Sequence, residues 1–126
     1  MIVKLDDPTS LRVRNGYQKS DARFAENGRV RKVEVVLLGQ GWMPPVQGSL
    51  WADLPVLGRH EVELKDTDGW QSVALPETGP PSEWKPDNPK WAGDPSQQQP
   101  SFVALRILST YDGTRWKDTC LSDIAP

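Results

Sequence analysis

The chain has few of the residues that most often build catalytic and metal sites. Its 126 residues include one cysteine, Cys120, and one histidine, His60. A single cysteine excludes an intrachain disulfide and a zinc site made from a cluster of cysteines. His60 lies in the alternating stretch Arg-His-Glu-Val-Glu-Leu, which predicts a strand with this histidine facing solvent. Because a Ser-His-Asp triad would need His60 as its base, we expect no catalytic residue and no enzymatic activity.

The chain also lacks a long apolar run and a strong excess of either charge. Its longest uninterrupted apolar run covers residues 35–38, which is far too short to cross a membrane, so no membrane insertion is expected. The formal net charge is −2, whereas nucleic-acid-binding domains are usually basic, so no nucleic-acid partner is expected. The first residues show no signal peptide. We therefore expect a cytoplasmic chain, unless it is exported within a larger protein or without a cleaved leader.

Apolar residues alternate with polar ones along most of the chain, and this period of two predicts strands. The alternating apolar positions are Leu11 and Val13; Val33, Val35 and Leu37; Val62 and Leu64; Val73 and Leu75; and Val103, Leu105 and Ile107. A first strand is predicted at Ile2, Val3 and Leu5, and a last one at Leu121 and Ile124. One short helix is predicted at residues 20–26, capped by Ser20 or Asp21 and ended by Gly28. The pattern predicts a single domain, residues 1–126, that is an all-β, antiparallel β-sandwich of seven or eight strands.

Two connections are unusually long and rich in proline and tryptophan. One covers residues 39–58, with a short strand predicted near 49–54, and the other is a Pro-rich insertion at residues 76–101. Proline removes backbone donors, so the insertion cannot be a helix or a central strand. Trp70, at the start of a strand, is predicted to be a core residue. The tryptophans of the two connections offer an alternative interface or pack on the prolines: Trp42, Trp51, Trp84 and Trp91.

Two polar, glycine-containing loops hold the candidate binding residues. In an antiparallel fold successive loops lie at alternate ends, so loops 15–29, 66–69 and 110–117 are predicted to meet at one end and the Trp/Pro connections at the other. An aromatic ring beside planar donors and acceptors suits a sugar, and the candidate ligand-binding residues are Tyr17, Lys19, Arg23, Asn27, Asp112, Arg115 and Trp116. A structural role is favoured for Asn15, Ser122 and Asp118, the last as an acceptor for backbone N–H groups or as the partner of Arg29.

The same loops carry a resemblance to a known family. The motifs are Asn-Gly-Tyr-Gln-Lys-Ser at 15–20, Asn-Gly-Arg-Val-Arg-Lys at 27–32, and Ser-Thr-Tyr-x-Gly-Thr-x-x-x-Asp-Thr-x-x-Ser-Asp-Ile at 109–124. In this order they resemble the NADase-type glycan-binding domain, a discoidin-like module of bacterial surface and exported proteins. The resemblance covers roughly residues 2–38 and 102–124. It implies a jelly-roll, galactose-binding-like sandwich and a lectin-like, carbohydrate-binding function without NADase activity.

The chain departs from the family pattern in two places, and both bear on its partners. The family's upstream segment, with an Asn-Leu-hydrophobic-Asp-Gly-Asp loop and a tryptophan, does not precede the first motif, and the insertion at 76–101 is additional. No cofactor is expected, although Asp66, Asp68 and Asp112 could gather a structural calcium ion. The expected partner is a glycan or, alternatively, a protein bound in the manner of an adaptor, inhibitor or immunity protein. The edge beside the first strand is expected to be covered by the insertion or by a second copy, giving a homodimer or a larger parent assembly.

Overall fold

The chain folds mainly into strands. The computed structural model describes residues 1–4, 10–39, 55–78 and 100–125. This part of the chain contains one helix, α1 (Asp21–Glu26), and the following strands: β1 (Ile2–Lys4), β2 (Leu11–Asn15), β3 (Gly28–Gly39), β4 (Val56–Glu63), β5 (Trp70–Val73), β6 (Pro100–Tyr111) and β7 (Thr119–Ala125). The all-β class predicted from the alternation is confirmed. No helix among these residues is long and apolar enough to span a membrane.

All seven strands belong to one mixed sheet. Its order is β1-β6-β3-β7-β2-β5, with β4 paired to β3. The long strands β3 and β6 run antiparallel from Arg29↔Tyr111 to Gly39↔Pro100. Strand β2 lies between β5 and β7, antiparallel to both. One group of strands (β1, β3, β4 and β6) joins the other (β2, β5 and β7) where β3 and β7 pair in parallel over two residues each. The sequence predicted only antiparallel pairing, and this prediction is wrong at the junction.

The buried side chains follow the predicted alternation and gather into one core. Leu11 and Val13 of β2 are 1% exposed, and Val35 of β3 is fully buried. The cluster takes residues from both groups of strands: Leu11, Val13, Val30, Val33, Val35, Leu37, Leu57, Leu64, Val73, Val103 and Leu105. Ile107 was predicted to share this core but is 49% exposed. It lines an apolar cleft of about 470 Å³ together with Leu105 and Leu121.

Trp70 is not a core residue, contrary to expectation, because it lies on the other face of its strand. Its register partner is Arg14, whereas the buried Leu11 pairs with Val73. Residues directly opposite each other point to the same face of a sheet, so Trp70 shares the outer face with Arg14. Its side chain is 43% exposed.

The helix and the long connections have slightly different boundaries from those predicted. Ser20 caps α1, and its side chain accepts a hydrogen bond from the Arg23 N–H, as predicted. Strand β3 continues through Gly39 and β4 begins at Val56, so the first connection is shorter than predicted. Strand β5 ends at Val73 and β6 begins at Pro100, so the second connection covers residues 74–99 instead of 76–101. The remaining residues of the connections, 40–54 and 79–99, lie outside the described residues. They include the predicted strand at 49–54 and Trp42, Trp51, Trp84 and Trp91.

Candidate functional site

Three loops meet at one end of the molecule, as predicted. The N–H of Thr114 donates to the Ala25 carbonyl (3.1 Å), and those of Arg115 and Trp116 donate to the Glu26 carbonyl (3.1 and 2.8 Å). The loop after β6 is thereby attached to the C-terminal end of α1. These bonds use carbonyls that have no partner within the helix, so each loop completes the hydrogen bonding of the other.

Gly113 lets these two loops approach each other. A Cβ atom at this position would lie 2.3 Å from the Glu26 carbonyl oxygen and 2.6 Å from the Trp116 carbonyl oxygen. Both atoms belong to the backbone and cannot rotate away. The second loop therefore needs glycine at position 113 because its contact with α1 leaves no space for a side chain.

Arg29 ties the third loop to the other two. Its Nε and Nη2 donate to the two carboxylate oxygens of Asp66, at 2.7 and 2.8 Å. Its Nη1 donates to the carbonyls of Phe24 (3.4 Å), Ala25 (3.2 Å) and Asn27 (2.8 Å). The guanidinium also lies 5.3 Å from the centre of the Phe24 ring. Arg29 thus holds the end of α1 against the β4–β5 loop, and the bidentate pair gives this contact a defined geometry.

The Arg29–Asp66 pair predicts a dependence of stability on acid pH. The hydrogen bonds from Arg29, followed by its charge, hold the pKa of Asp66 below its ordinary value of 3.8, against the opposing effect of burial. A carboxyl group whose pKa is lowered by folding stabilises the native state above the unfolded pKa, and this contribution is lost as pH falls through the folded pKa. Because the Asp66 side chain is 36% exposed, solvent screens the pair, and we expect Asp66→Asn to cost about 1 kcal/mol near neutral pH.

Urea unfolding of the wild type and Asp66→Asn at a series of pH values measures this effect. The difference between the two proteins should be constant above about pH 5 and should shrink as the pH falls below about 4. Asp68→Asn, in the same loop and exposed, is the control, since no partner for its side chain is present among the described residues. A difference between wild type and Asp66→Asn that stays the same at acid pH would contradict the assignment.

Asn15 and Ser122 have the structural roles predicted for them. Asn15 is fully buried. Its Nδ2 donates to the Val30 carbonyl (2.6 Å) and its Oδ1 accepts from the Val30 N–H (2.8 Å), so the side-chain amide pairs with β3 as the backbone of a neighbouring strand would. The Ser122 hydroxyl donates to the Gly16 carbonyl. Gly16 has a positive φ of 76° and directs the chain out of β2 into the first loop.

A cavity of about 370 Å³ opens where these loops meet. It is lined by residues of both motif loops: Tyr17, Lys19, Arg23, Asn27, Trp116 and Asp118. The Tyr17 and Trp116 side chains are 39% and 44% exposed. Five of the seven candidate residues therefore lie around one opening. The other two do not line it: Asp112 is exposed in the second loop, and the Arg115 guanidinium lies 4.9 Å from the centre of the Trp116 ring.

Asp118 has a different role from the one predicted. It is exposed, Arg29 pairs with Asp66 instead, and only the main chain of Asp118 acts as an anchor, its carbonyl accepting from the Gly28 N–H (2.7 Å). Its side chain lines the cavity instead. No sequence pattern identifies this role, because residues 116–118 are not part of a strand and the cavity is formed by loops that are far apart in sequence.

The charged groups around the cavity nearly cancel one another. Arg23 forms an ion pair with Glu26 on the next turn of α1 (3.2 Å), and its backbone carbonyl accepts from Asn27 Nδ2 (2.7 Å). Lys19 and Asp118 add one charge of each sign to the lining. The walls therefore present two aromatic rings, an amide and a balanced set of charged groups.

Asp66 and His60, the candidates for a calcium site and for a catalytic base, each have another partner in the structure. Among the described residues no group of three or more His, Cys, Asp or Glu side chains could hold a metal ion, and both carboxylate oxygens of Asp66 accept from Arg29. His60 is partly buried rather than solvent-facing, and its Nε2 lies 2.6 Å from the Ala74 carbonyl. This contact fastens the segment after β5 to β4, away from the cavity.

No family model, no curated protein and no solved structure matches the chain.

Proposed function

We propose that the chain is a non-catalytic binding module that recognises a neutral glycan in the cavity between its two motif loops. The observation that carries the proposal is the meeting of Tyr17 and Trp116, which are 99 positions apart in sequence, at the rim of one opening of about 370 Å³. This volume lies in the range of small-molecule sites, about 300–1,000 Å³.

The aromatic rings supply the apolar part of the recognition. Tyr17 and Trp116 keep 39% and 44% of their surface exposed, although neither is needed to fill the core. An exposed ring beside polar groups offers an apolar face together with hydrogen-bonding atoms, as recognition surfaces do. The C–H face of a pyranose is flat and apolar and can stack on such a ring.

The polar groups supply the orientation. Asn27 offers a donor and an acceptor in one planar amide, Lys19 and Arg23 donate, and Asp118 accepts. A sugar presents several hydroxyl groups, each of which both donates and accepts. Because Arg23 is already paired with Glu26 and Lys19 is offset by Asp118, the cavity favours a neutral ligand over a strongly charged one.

The loops are held in place before any ligand binds, which favours affinity because little ordering remains to be done on binding. Three backbone hydrogen bonds attach the Trp116 loop to α1. Arg29 donates three hydrogen bonds to carbonyls at the end of α1 and two to Asp66, which holds that end against the β4–β5 loop. Within this proposal the two groups of strands form the layers of a jelly-roll, galactose-binding-like sandwich. A core that draws on β2 and β5 as well as on β3 and β6, and the motif resemblance to the NADase-type glycan-binding domain, support this arrangement.

A glycan array followed by calorimetric titration of the best neutral glycan tests the proposal. Trp116→Ala should reduce the affinity by roughly 5- to 150-fold, since the stacking of a nucleic-acid base on an aromatic side chain, a contact of comparable kind, contributes about 1–3 kcal/mol. The melting temperature should hardly change, because substitutions at exposed positions usually stay within about 0.5 kcal/mol.

Trp70→Ala is the matched control. Trp70 is 43% exposed, almost the same as Trp116, but it lies on the outer face of β5 and does not line the cavity. This variant should bind the neutral glycan as the wild type does. Equal losses of affinity in the two variants, or a large loss of stability in Trp116→Ala, would contradict the role assigned to Trp116.

A further inference from the structure

A second polar surface, separate from the cavity, covers the outer face of β2 and β5. The guanidinium groups of Arg12 and Arg14 lie 5.3 and 5.8 Å from the centre of the Trp70 ring. Arg14 and Trp70 are register partners, and Arg12 is two residues earlier on the same face. Two cations thus share one exposed indole, which attracts both through its ring electrons.

The two arginines have few partners of their own. Within the described residues neither forms an ion pair, and only Arg14 makes a hydrogen bond, from its Nη2 to Gln18 Oε1 (3.0 Å). The buried Nε of Arg14 has no hydrogen-bond partner in the part of the chain that the structure describes. Like charges at neighbouring positions of one strand face repel each other, and the indole offsets only part of that repulsion. An added anion would remove it.

The neighbouring strands indicate where such an anion would lie. The register partners of Arg12 are Ser72 on β5 and Ala125 on β7, whereas those of Arg14 are Trp70 and the exposed Asp123. Among the residues that the structure describes, the register partners of Arg12 therefore supply a hydroxyl donor and no carboxylate. The Asp123 carboxylate disfavours an anion at the other end.

We propose that Arg12, with Arg14 and Ser72, binds the oxoanion group of a sulfate or phosphate ester on this face. The planar fork of a guanidinium matches two oxygens of a tetrahedral anion. Because contact with Trp70 already restricts both guanidinium groups, little side-chain conformational freedom is lost when the anion binds. The Ser72 hydroxyl donates to a third oxygen. This site is independent of the neutral-glycan cavity, since none of these residues lines it.

Titration with sodium sulfate and with sodium phosphate, at constant ionic strength made up with sodium chloride, tests the site. The signal is the indole N–H resonance of Trp70 in ¹H–¹⁵N spectra, assigned by its disappearance in Trp70→Phe. Sulfate and phosphate should each produce a saturable shift, and chloride should not. Equal shifts in chloride would show simple screening of charge and would overturn the proposal.

Substitutions identify the residues that act. Arg12→Gln should weaken sulfate binding about tenfold or more, because it removes a charge-assisted, two-bond contact, and Arg12→Lys should weaken it less. Arg59→Gln is the control, since Arg59 is an exposed arginine on β4 with no ion pair among the described residues, and should change binding less than about twofold. Asp123→Asn should tighten binding. Equal effects of Arg12→Gln and Arg59→Gln would overturn the assignment.

Two esters of the same sugar show whether the site prefers a sulfate ester or a phosphate ester. Glucose 6-sulfate and glucose 6-phosphate are titrated under the same conditions, into the wild type and Arg12→Gln. Binding of either ester that depends on Arg12 supports the site, and the tighter one identifies the natural ester. If neither ester shifts the Trp70 resonance more than glucose does, the proposal is wrong.

Discussion

Asn15→Ala is expected to destabilise the protein by about 2–4 kcal/mol, the largest effect of any single polar substitution that we predict. Asn15 is fully buried, and its amide exchanges two hydrogen bonds with the backbone of Val30. Alanine leaves both the N–H and the carbonyl of Val30 without a partner inside the molecule. Each unsatisfied buried group costs about 1–3 kcal/mol, whereas truncation of the side chain itself loses little apolar contact.

Urea or thermal unfolding of the variant measures this cost. Asn27→Ala is the control, because Asn27 Nδ2 also makes one hydrogen bond to the backbone, to the Arg23 carbonyl, but at an exposed position. Its loss should cost less than about 1 kcal/mol, since water can replace the partner. Similar stabilities for the two variants would show that the contact between Asn15 and β3 does not hold the first loop in place.

Gly113→Ala is expected to abolish glycan binding and to lower stability by about 1–3 kcal/mol, the usual cost of forcing extra atoms into a packed contact. The added Cβ would overlap the backbone of Glu26 and of Trp116 at 2.3 and 2.6 Å. The second loop must then move away from α1 and lose the hydrogen bonds donated by residues 114–116. Trp116 would leave the rim of the cavity with it.

Gly69→Ala separates the loss of binding from the loss of stability. Gly69 has a positive φ of 99°, so alanine is strained there, but nothing lies within 4 Å of the added Cβ. That variant should lose about 1–2 kcal/mol of stability and bind the glycan normally. Normal glycan binding by Gly113→Ala would instead show that the contact between the loops does not position Trp116.

The sequence predicted the buried face of most strands because period-two alternation has one simple physical cause. Leu11 and Val13 or Val33 and Val35 must share a face, and a core needs that face buried. The convergence of the motif loops followed from counting strands. Trp70 was expected in the core because it is a large aromatic residue at the start of a strand. Its position in the alternation, opposite Arg14, places it on the outer face.

Other features depend on contacts between residues far apart in sequence. The partner of Arg29 is Asp66, 37 residues away, and Asp66 and Asp118 are equivalent candidates when only composition and loop position are known. The parallel pairing of Gly28 with Thr119 could not be read from either strand alone, because alternation does not reveal the direction of a neighbouring strand. The cavity results from such contacts, so its residues could be proposed individually, but Asp118 could not be placed among them.

Mapping of the bound neutral glycan by ¹H–¹⁵N chemical-shift perturbation is the most direct test of whether the ligand lies in the cavity between the two motif loops. A glycan selected on the array is expected to shift the amide and side-chain resonances of residues 17–27 and 112–118, including the Trp116 indole. The Trp70 indole and the residues of β4 should stay unchanged. Shifts centred on another face of the molecule, or no binding of any neutral glycan by the folded chain, would contradict it.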